Sequence, residues 1–174
     1  MTLKKALGWT CFAMLCLALT VPASAQAPAN RGKAEMKAGA GAITIDYGRP
    51  SLKGRDMLSQ LQDGASWRMG MNQATTITTP VDLSFGATKI AKGSYSLFLT
   101  RSGAKYDLVF NSQTGQWGTQ HDKAKDVARV AMKSETLPGA VETFTIELKE
   151  APKGGIFSLS WGATKLSADF EAGK

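Results

Sequence analysis

The sequence predicts an all-β protein, an antiparallel β-sandwich of jelly-roll-like form. Two observations carry that expectation. Apolar residues recur at every second position in eight separate stretches, and glycine-containing turns punctuate them. A third observation supports it: helical periodicity is confined to one short segment.

Taken in order, Ile43, Ile45 and Tyr47 share one face, with Thr44 and Asp46 opposite. The same alternation holds for Val81, Leu83 and Phe85, for Tyr95, Leu97 and Leu99, and for Tyr106, Leu108 and Phe110. It continues through Ala128, Val130 and Met132, then Phe144, Ile146 and Leu148. Phe157, Leu159 and Trp161, followed by Leu166, Ala168 and Phe170, complete the series. Ser, Thr, Lys, Asp and Glu fill the alternate positions, as expected of antiparallel sheets with one buried face. Turns fall at Lys92-Gly93, Ser102-Gly103, Thr114-Gly115 and Lys153-Gly154-Gly155. That many short strands at such spacing imply a sandwich or an open barrel. Residues 56–62 predict one short helix, with Asp56 as N-cap, Met57, Leu58 and Leu61 inward, and Gly64 beyond its end.

Residues 1–25 read as a cleavable signal peptide. Lys4 and Lys5 open it, an uncharged apolar run covers 6–21, and Ala23-Ser24-Ala25 supplies small cleavage-site residues. The apolar run is shorter than the roughly 20 residues a spanning helix needs. A periplasmic or secreted protein is therefore expected, with no stable membrane insertion once the signal is removed. Residues 26–32 form a flexible lead-in, and 33–174 a single β-sandwich domain. Both cysteines, Cys11 and Cys16, belong to the signal, so no disulfide, thiol nucleophile or thiolate ligand remains. The net charge of +7 falls to +5 when Lys4 and Lys5 leave. This surplus favours solubility and anionic ligands. Scattered lysines and an exported location argue against nucleic acid.

The pattern breaks between residues 47 and 78, and such breaks mark function or strain. Arg49 precedes Pro50, which holds it extended and ends the strand in a rigid turn. Lys53-Gly54-Arg55 follows, and Arg68 lies beyond the helix. Converging guanidinium groups suit bidentate recognition of carboxylate or phosphate. Alternatively, these cations cap carbonyls and pair with Asp46, Asp56 and Asp63 to hold a long loop. Trp67, with Arg68, Asn72 and Thr75-Thr76, fits a stacking platform rimmed by polar donors. More often such a Trp is a core plug, with Asn72 closing a turn. Residues 74–79 are rich in β-branched residues and predict a strand, with Thr76 and Thr78 lining the cleft.

Catalytic inventory is thin. The single histidine, His121, reads as an exposed loop residue. Its neighbour Asp122 would point to the opposite face of a strand. One histidine without cysteine does not make a zinc site of the usual kind, and neither metal nor cofactor is expected. A serine triad has only His121 as base, and no Gly-x-Ser-x-Gly elbow exists. No glycine-rich phosphate loop opens a helix. Asp46, Asp107, Asp122, Asp126 and Glu142 are available for two-carboxylate chemistry, although Asp126 and Arg129 read as a surface pair. Trp117 reads as packing.

Tyr47-Gly48-Arg49-Pro50, Lys53-Gly54-Arg55 and Trp67-Arg68-x-Gly70-x-Asn72-x-Ala74-Thr75-Thr76 occur in order with Gly93-x-Tyr95-x-Leu97-Phe98 and Gln116-Trp117-Gly118. Asp126-Val127-x-Arg129-Val130, Glu142-x-Phe144-Thr145-Ile146 and Trp161 follow. As a set these resemble the domain of unknown function 2911 family over residues 34–170. The resemblance implies an exported, mostly β single domain and carries over no activity, substrate or catalytic residue. Gln120-His121 stands where the family pattern has an aromatic, which lowers the functional weight on His121.

The expected function is non-enzymatic binding of an anionic or carbohydrate-like ligand. Arg49, Lys53, Arg55 and Arg68 neutralise charge, Asn72 and Thr76 hydrogen-bond, and Trp67 stacks. The alternative is a metal-independent hydrolase or lyase using carboxylates, with arginine as electrophile. A facing pair of acids near Arg68 would favour the second, and a cleft of cations and amides the first.

Overall fold

Each alternating stretch contributes to a strand. The computed structural model describes residues 30–173, and the expected signal segment and the start of the lead-in lie outside the described residues. Ten strands follow: β1 (Arg31–Ala38), β2 (Gly41–Gly48), β3 (Ser66–Trp67), β4 (Thr75–Thr79) and β5 (Leu83–Phe85). The rest are β6 (Thr88–Ile90), β7 (Gly93–Ser102), β8 (Lys105–Asn111), β9 (Asp126–Ala151) and β10 (Gly154–Ala172). They pair antiparallel in the order β1-β2-β4-β7-β8-β9-β10-β5-β6, with β3 beside β7. The all-β antiparallel class expected from the sequence is what forms.

The pairing path is a single open sheet. β9, 26 residues long, pairs with β8 at its start and with β10 over the remainder, so it carries the hydrogen bonding from one half to the other. The stretches around Val130 and Ile146 are therefore two parts of β9, and those around Leu159 and Leu166 two parts of β10. Register slips at Gly162 let β10 bend between its parts. Side chains from the two halves meet in one core. Phe85 of β5 lies 5.6 Å from Phe110 of β8 and 5.4 Å from Phe170 of β10.

Two sequence expectations are corrected. The lead-in ends earlier than Gly32: Arg31 and Gly32 already pair with Gly48 and Tyr47. An ion pair from Arg31 to Asp46 and a bond from the Arg49 amide to the Asn30 carbonyl (2.7 Å) fix this edge. The helix over 56–62 is a single turn instead. Asp56 does cap it, accepting from the amides of Leu58 (3.1 Å) and Ser59 (3.2 Å). Propagation fails because side chains of the β7–β8 hairpin take the carbonyls a second turn would use. Arg101 donates to the carbonyls of Ser59 (3.1 Å) and Leu61 (3.0 Å), and the Tyr106 hydroxyl to that of Leu58 (3.2 Å). Leu58 is fully buried as expected, whereas Met57 is turned outward.

Gly48, at the end of β2, lies against the backbone of Met71. A Cβ there would collide with both the amide nitrogen and the carbonyl oxygen of that residue. Gly48→Ala is therefore expected to cost about 1–3 kcal/mol of stability through overpacking. Thr78→Ala, on the solvent face of the adjacent strand, should stay within about 0.5 kcal/mol of the parent. Urea unfolding of the two variants measures the contrast.

Candidate functional site

Between β2 and β4 the chain leaves the sheet, touching it again at Ser51 and at β3. Ser51 bridges to Thr143 of β9, the Leu52 amide bonds the Glu142 carbonyl (2.8 Å), and the Phe144 amide bonds the Pro50 carbonyl (2.9 Å). Farther on, β3 pairs with Leu99 and Thr100 of β7. Its Trp67 turns inward and stacks on Trp161 (5.5 Å, 11° between planes), with Phe144 edge-on at 5.1 Å. The indole NH of Trp161 donates to the Glu142 carbonyl (3.2 Å). Residues 69–72 then make a tight excursion in which Met69 and Asn72 hold positive φ (50° and 63°). Met69 is buried there, and its carbonyl accepts from the Thr75 hydroxyl (2.6 Å).

This path leaves a chain of shallow clefts. The first, about 300 Å³, runs between Leu52, Met57, Met71, Trp67 and Trp161, with Arg55 and Arg68 on its wall. The second, about 280 Å³, shares Pro50, Ser51, Arg55 and Met71 with it and adds Arg49 and Lys53. No carboxylate lines either cleft among the described residues. The acids that the loop-holding alternative required are engaged elsewhere. Asp46 pairs with Arg31, Asp63 lies 3.9 Å from Arg101, and Asp56 caps its turn. Among the described residues, no ion pair involves Arg49, Lys53, Arg55 or Arg68.

Five of the seven residues singled out by sequence thus come together: Arg49, Lys53, Arg55, Trp67 and Arg68. Trp67 combines both readings made of it, since it is core-packed and also forms cleft wall. Asn72 and Thr76 line neither cleft. Asn72 closes the turn, and its carbonyl accepts from the Gly118 amide (2.9 Å). Thr76 lies on the outer sheet face, paired with Asp46 and Ser96.

Arg68 reaches its place because residue 118 is glycine. A Cβ there would fall 2.5 Å from the Arg68 Cδ and 2.8 Å from the Asn72 carbonyl oxygen. Gly118 belongs to the connection between β8 and β9, which folds across the outer face of the sheet. Under it Phe98 and Val109 are buried although they are not part of the main core. His121 sits here and corrects the exposed-loop expectation, for its side chain is only 8% exposed. Its ring stacks on Phe98 at 3.9 Å. Nδ1 is 2.7 Å from the Ser66 hydroxyl, and Nε2 is 2.7 Å from Oδ1 of Asp126. Asp126 also accepts from Asn111 (2.8 Å) and, through Oδ2, from Arg129 (3.0 Å). The surface pair expected of Asp126 and Arg129 is thus one edge of a nearly buried network. Asp122, the sequence neighbour of His121, instead caps a short 3-10 turn (Lys123–Lys125). Trp117, expected to pack, is 48% exposed, its backbone bridging to Gln73 while the indole remains outside.

Burial would raise the Asp126 carboxyl. Hydrogen bonds from His121 and Asn111, together with the charges of His121 and Arg129, outweigh it and hold the group below its ordinary value. Ser66 and His121 open onto a third depression of about 320 Å³, bounded also by Met57, Trp67 and Arg68. Ser66 and Asp126 lie 55 and 5 residues from His121, so no local motif announces the trio.

The fold and these clefts define an all-β protein with a cation-rimmed, aromatic-walled surface. A family model described as "Protein of unknown function (DUF2911)" matches residues 29–170, and the chain belongs to that family. No curated protein and no solved structure matches it.

The lowered Asp126 value carries a pH signature. The unfolded state binds this proton more readily, so the network's contribution is complete above the ordinary carboxyl value near 3.8 and is lost as pH falls through the lower folded value. Stability of the parent should therefore drop more steeply below about pH 4 than that of Asp126→Asn. Chemical denaturation at a series of acid pH values measures the two slopes.

Proposed function

We propose that the protein binds an anionic ligand whose body is apolar or ring-shaped, in the cleft between Arg55, Arg68 and the Trp67–Trp161 pair. One observation carries this reading. Arg55 and Arg68 share a cleft walled by two indoles, with Arg49 and Lys53 in the adjoining one and no carboxylate along either among the described residues. Guanidinium groups present planar donor forks to carboxylate or phosphate, and nearby Lys53 adds a point charge. Indole edges and the methionines Met57 and Met71 offer apolar contact to a sugar ring or an aliphatic body. The carboxylate-based hydrolase reading needs paired acids in this cleft, and its wall provides none among the described residues.

The basic start and apolar run within residues 1–25 support an exported protein that meets its ligand in the periplasm or outside the cell. Uronic acids, sugar phosphates and small dicarboxylates are the corresponding ligand classes.

A thermal-shift series with these anions and with neutral glycans tests the proposal. A ligand present at 100 times its dissociation constant should add about 2.7 kcal/mol of stability. Arg55→Ala should lose most of that gain, and added salt should weaken it. Absence of any shift across the anion panel would sink the reading, as would equal stabilisation of the parent and Arg55→Ala.

A further inference from the structure

We infer that Ser66, His121 and Asp126 form an acyl-transfer centre that hydrolyses small carboxylic esters. The three side chains make a continuous relay, with 2.7 Å from the Ser66 hydroxyl to Nδ1 of His121 and 2.7 Å from Nε2 to Asp126. An ionised Asp126 accepts the Nε2 proton, which fixes the neutral imidazole with its lone pair on Nδ1, directed at the Ser66 hydroxyl. Asn111 and Arg129 hold the carboxylate from its other sides. Phe98, stacked on the imidazole, sets the ring plane. Nucleophile, base and orienting acid are recognised by such geometry and roles rather than by position in the chain.

Local structure gives the serine its exposure. β3 pairs Ser66 with Thr100 on the outer side of β7 and sends Trp67 inward. Arg68, the next residue on the outer side, lines the same depression, and its Nε donates to the Gly70 carbonyl (3.2 Å). Arg68 thus contributes a cation to the wall of the depression that Ser66 lines, a charge suited to an oxyanion developing there during acyl transfer. Met57 and the Trp67 indole supply an apolar wall for a short acyl chain.

The reaction balances with water as the only co-reactant. Nδ1 takes the Ser66 proton as Oγ attacks the ester carbonyl. The carbon–oxygen bond to the alcohol breaks, and the departing oxygen takes that proton from Nδ1. Water then attacks the acyl-serine, giving a proton to Nδ1. The Ser66 oxygen leaves and recovers it, releasing the carboxylic acid. Met57, Trp67 and Arg68 border both depressions, but the centre requires no occupant in the anion cleft, and an adduct at Ser66 reads it independently of anion binding.

Two measurements test it on the intact protein. Incubation with an alkyl fluorophosphonate should leave one covalent adduct, mapped by peptide mass spectrometry to Ser66. Hydrolysis of p-nitrophenyl butyrate should fall about 10²-fold or more in Ser66→Ala and in His121→Gln. The adduct is read on the parent protein, so it remains informative if either variant fails to fold. Absence of an adduct at Ser66, together with hydrolysis no greater than that of Ser66→Ala, would overturn the inference. It would assign the trio instead to holding β3 against the start of β9.

Discussion

The inward stacking of Trp67 on Trp161 is the constraint on which the irregular half of the molecule depends. Between β2 and β4 the chain makes only one two-residue strand, and Trp67 is one of its residues. Each aromatic pair adds about 0.5–1.5 kcal/mol beyond simple burial. Ordering an irregular residue costs about 1–2 kcal/mol of backbone entropy. The rings cannot therefore hold the segment unaided, and they act with the backbone bonds at Leu52, Phe144 and Gly64. What the stack does uniquely is set the phase of the chain. With Trp67 inside, its neighbours Ser66 and Arg68 must lie outside. A shift of one residue would bury both polar groups and expose the indole.

Among the described residues, the positive charges of Arg49, Lys53, Arg55 and Arg68 are cancelled by no ion pair. Asp46 and Asp63 neutralise Arg31 and Arg101, while Oδ1 of Asp56 accepts from two backbone amides. As stabilising contacts such exposed pairs are worth only about 0–1 kcal/mol. None of these three acids lines the clefts that hold Arg49, Lys53, Arg55 and Arg68.

The sheet was legible because period-two burial is a local property. Ile43 and Ile45, Leu97 and Leu99, or Phe157 and Leu159 announce a strand without any knowledge of its partner. β1 was harder to read: its buried residues are Ala34, Met36 and Ala38, flanked by Lys and Glu, none of them strong strand formers. Pairing with β2 makes it a strand. The supposed helix over 56–62 has the opposite history, since its cap and pattern were right locally. Arg101 and Tyr106, 40 to 48 residues away, claim its carbonyls. The cations of the clefts could be collected from sequence because they crowd into one stretch and break the alternation. Ser66, His121 and Asp126 could not, because only the fold of the β8–β9 connection across the sheet brings them together. Asn72 was singled out for its side chain, whereas the structure uses its left-handed backbone and its carbonyl.

The β5–β6 hairpin enters the sheet's hydrogen bonding only through the end of β10, where Leu83 and Ser84 pair with Ala172 and Glu171. Those partners are separated by nearly ninety residues of chain, so closing this contact is among the most entropically delayed steps of assembly. Until the far end of β10 is in place, β5 has β6 alone as its strand partner among the described residues. Phe85 then touches Phe110 of β8 but lacks its contact with Phe170 of β10. The last stretch of β10 is therefore the clasp on the aromatic cluster around Phe85: while it is unpaired, that apolar face stays unsealed.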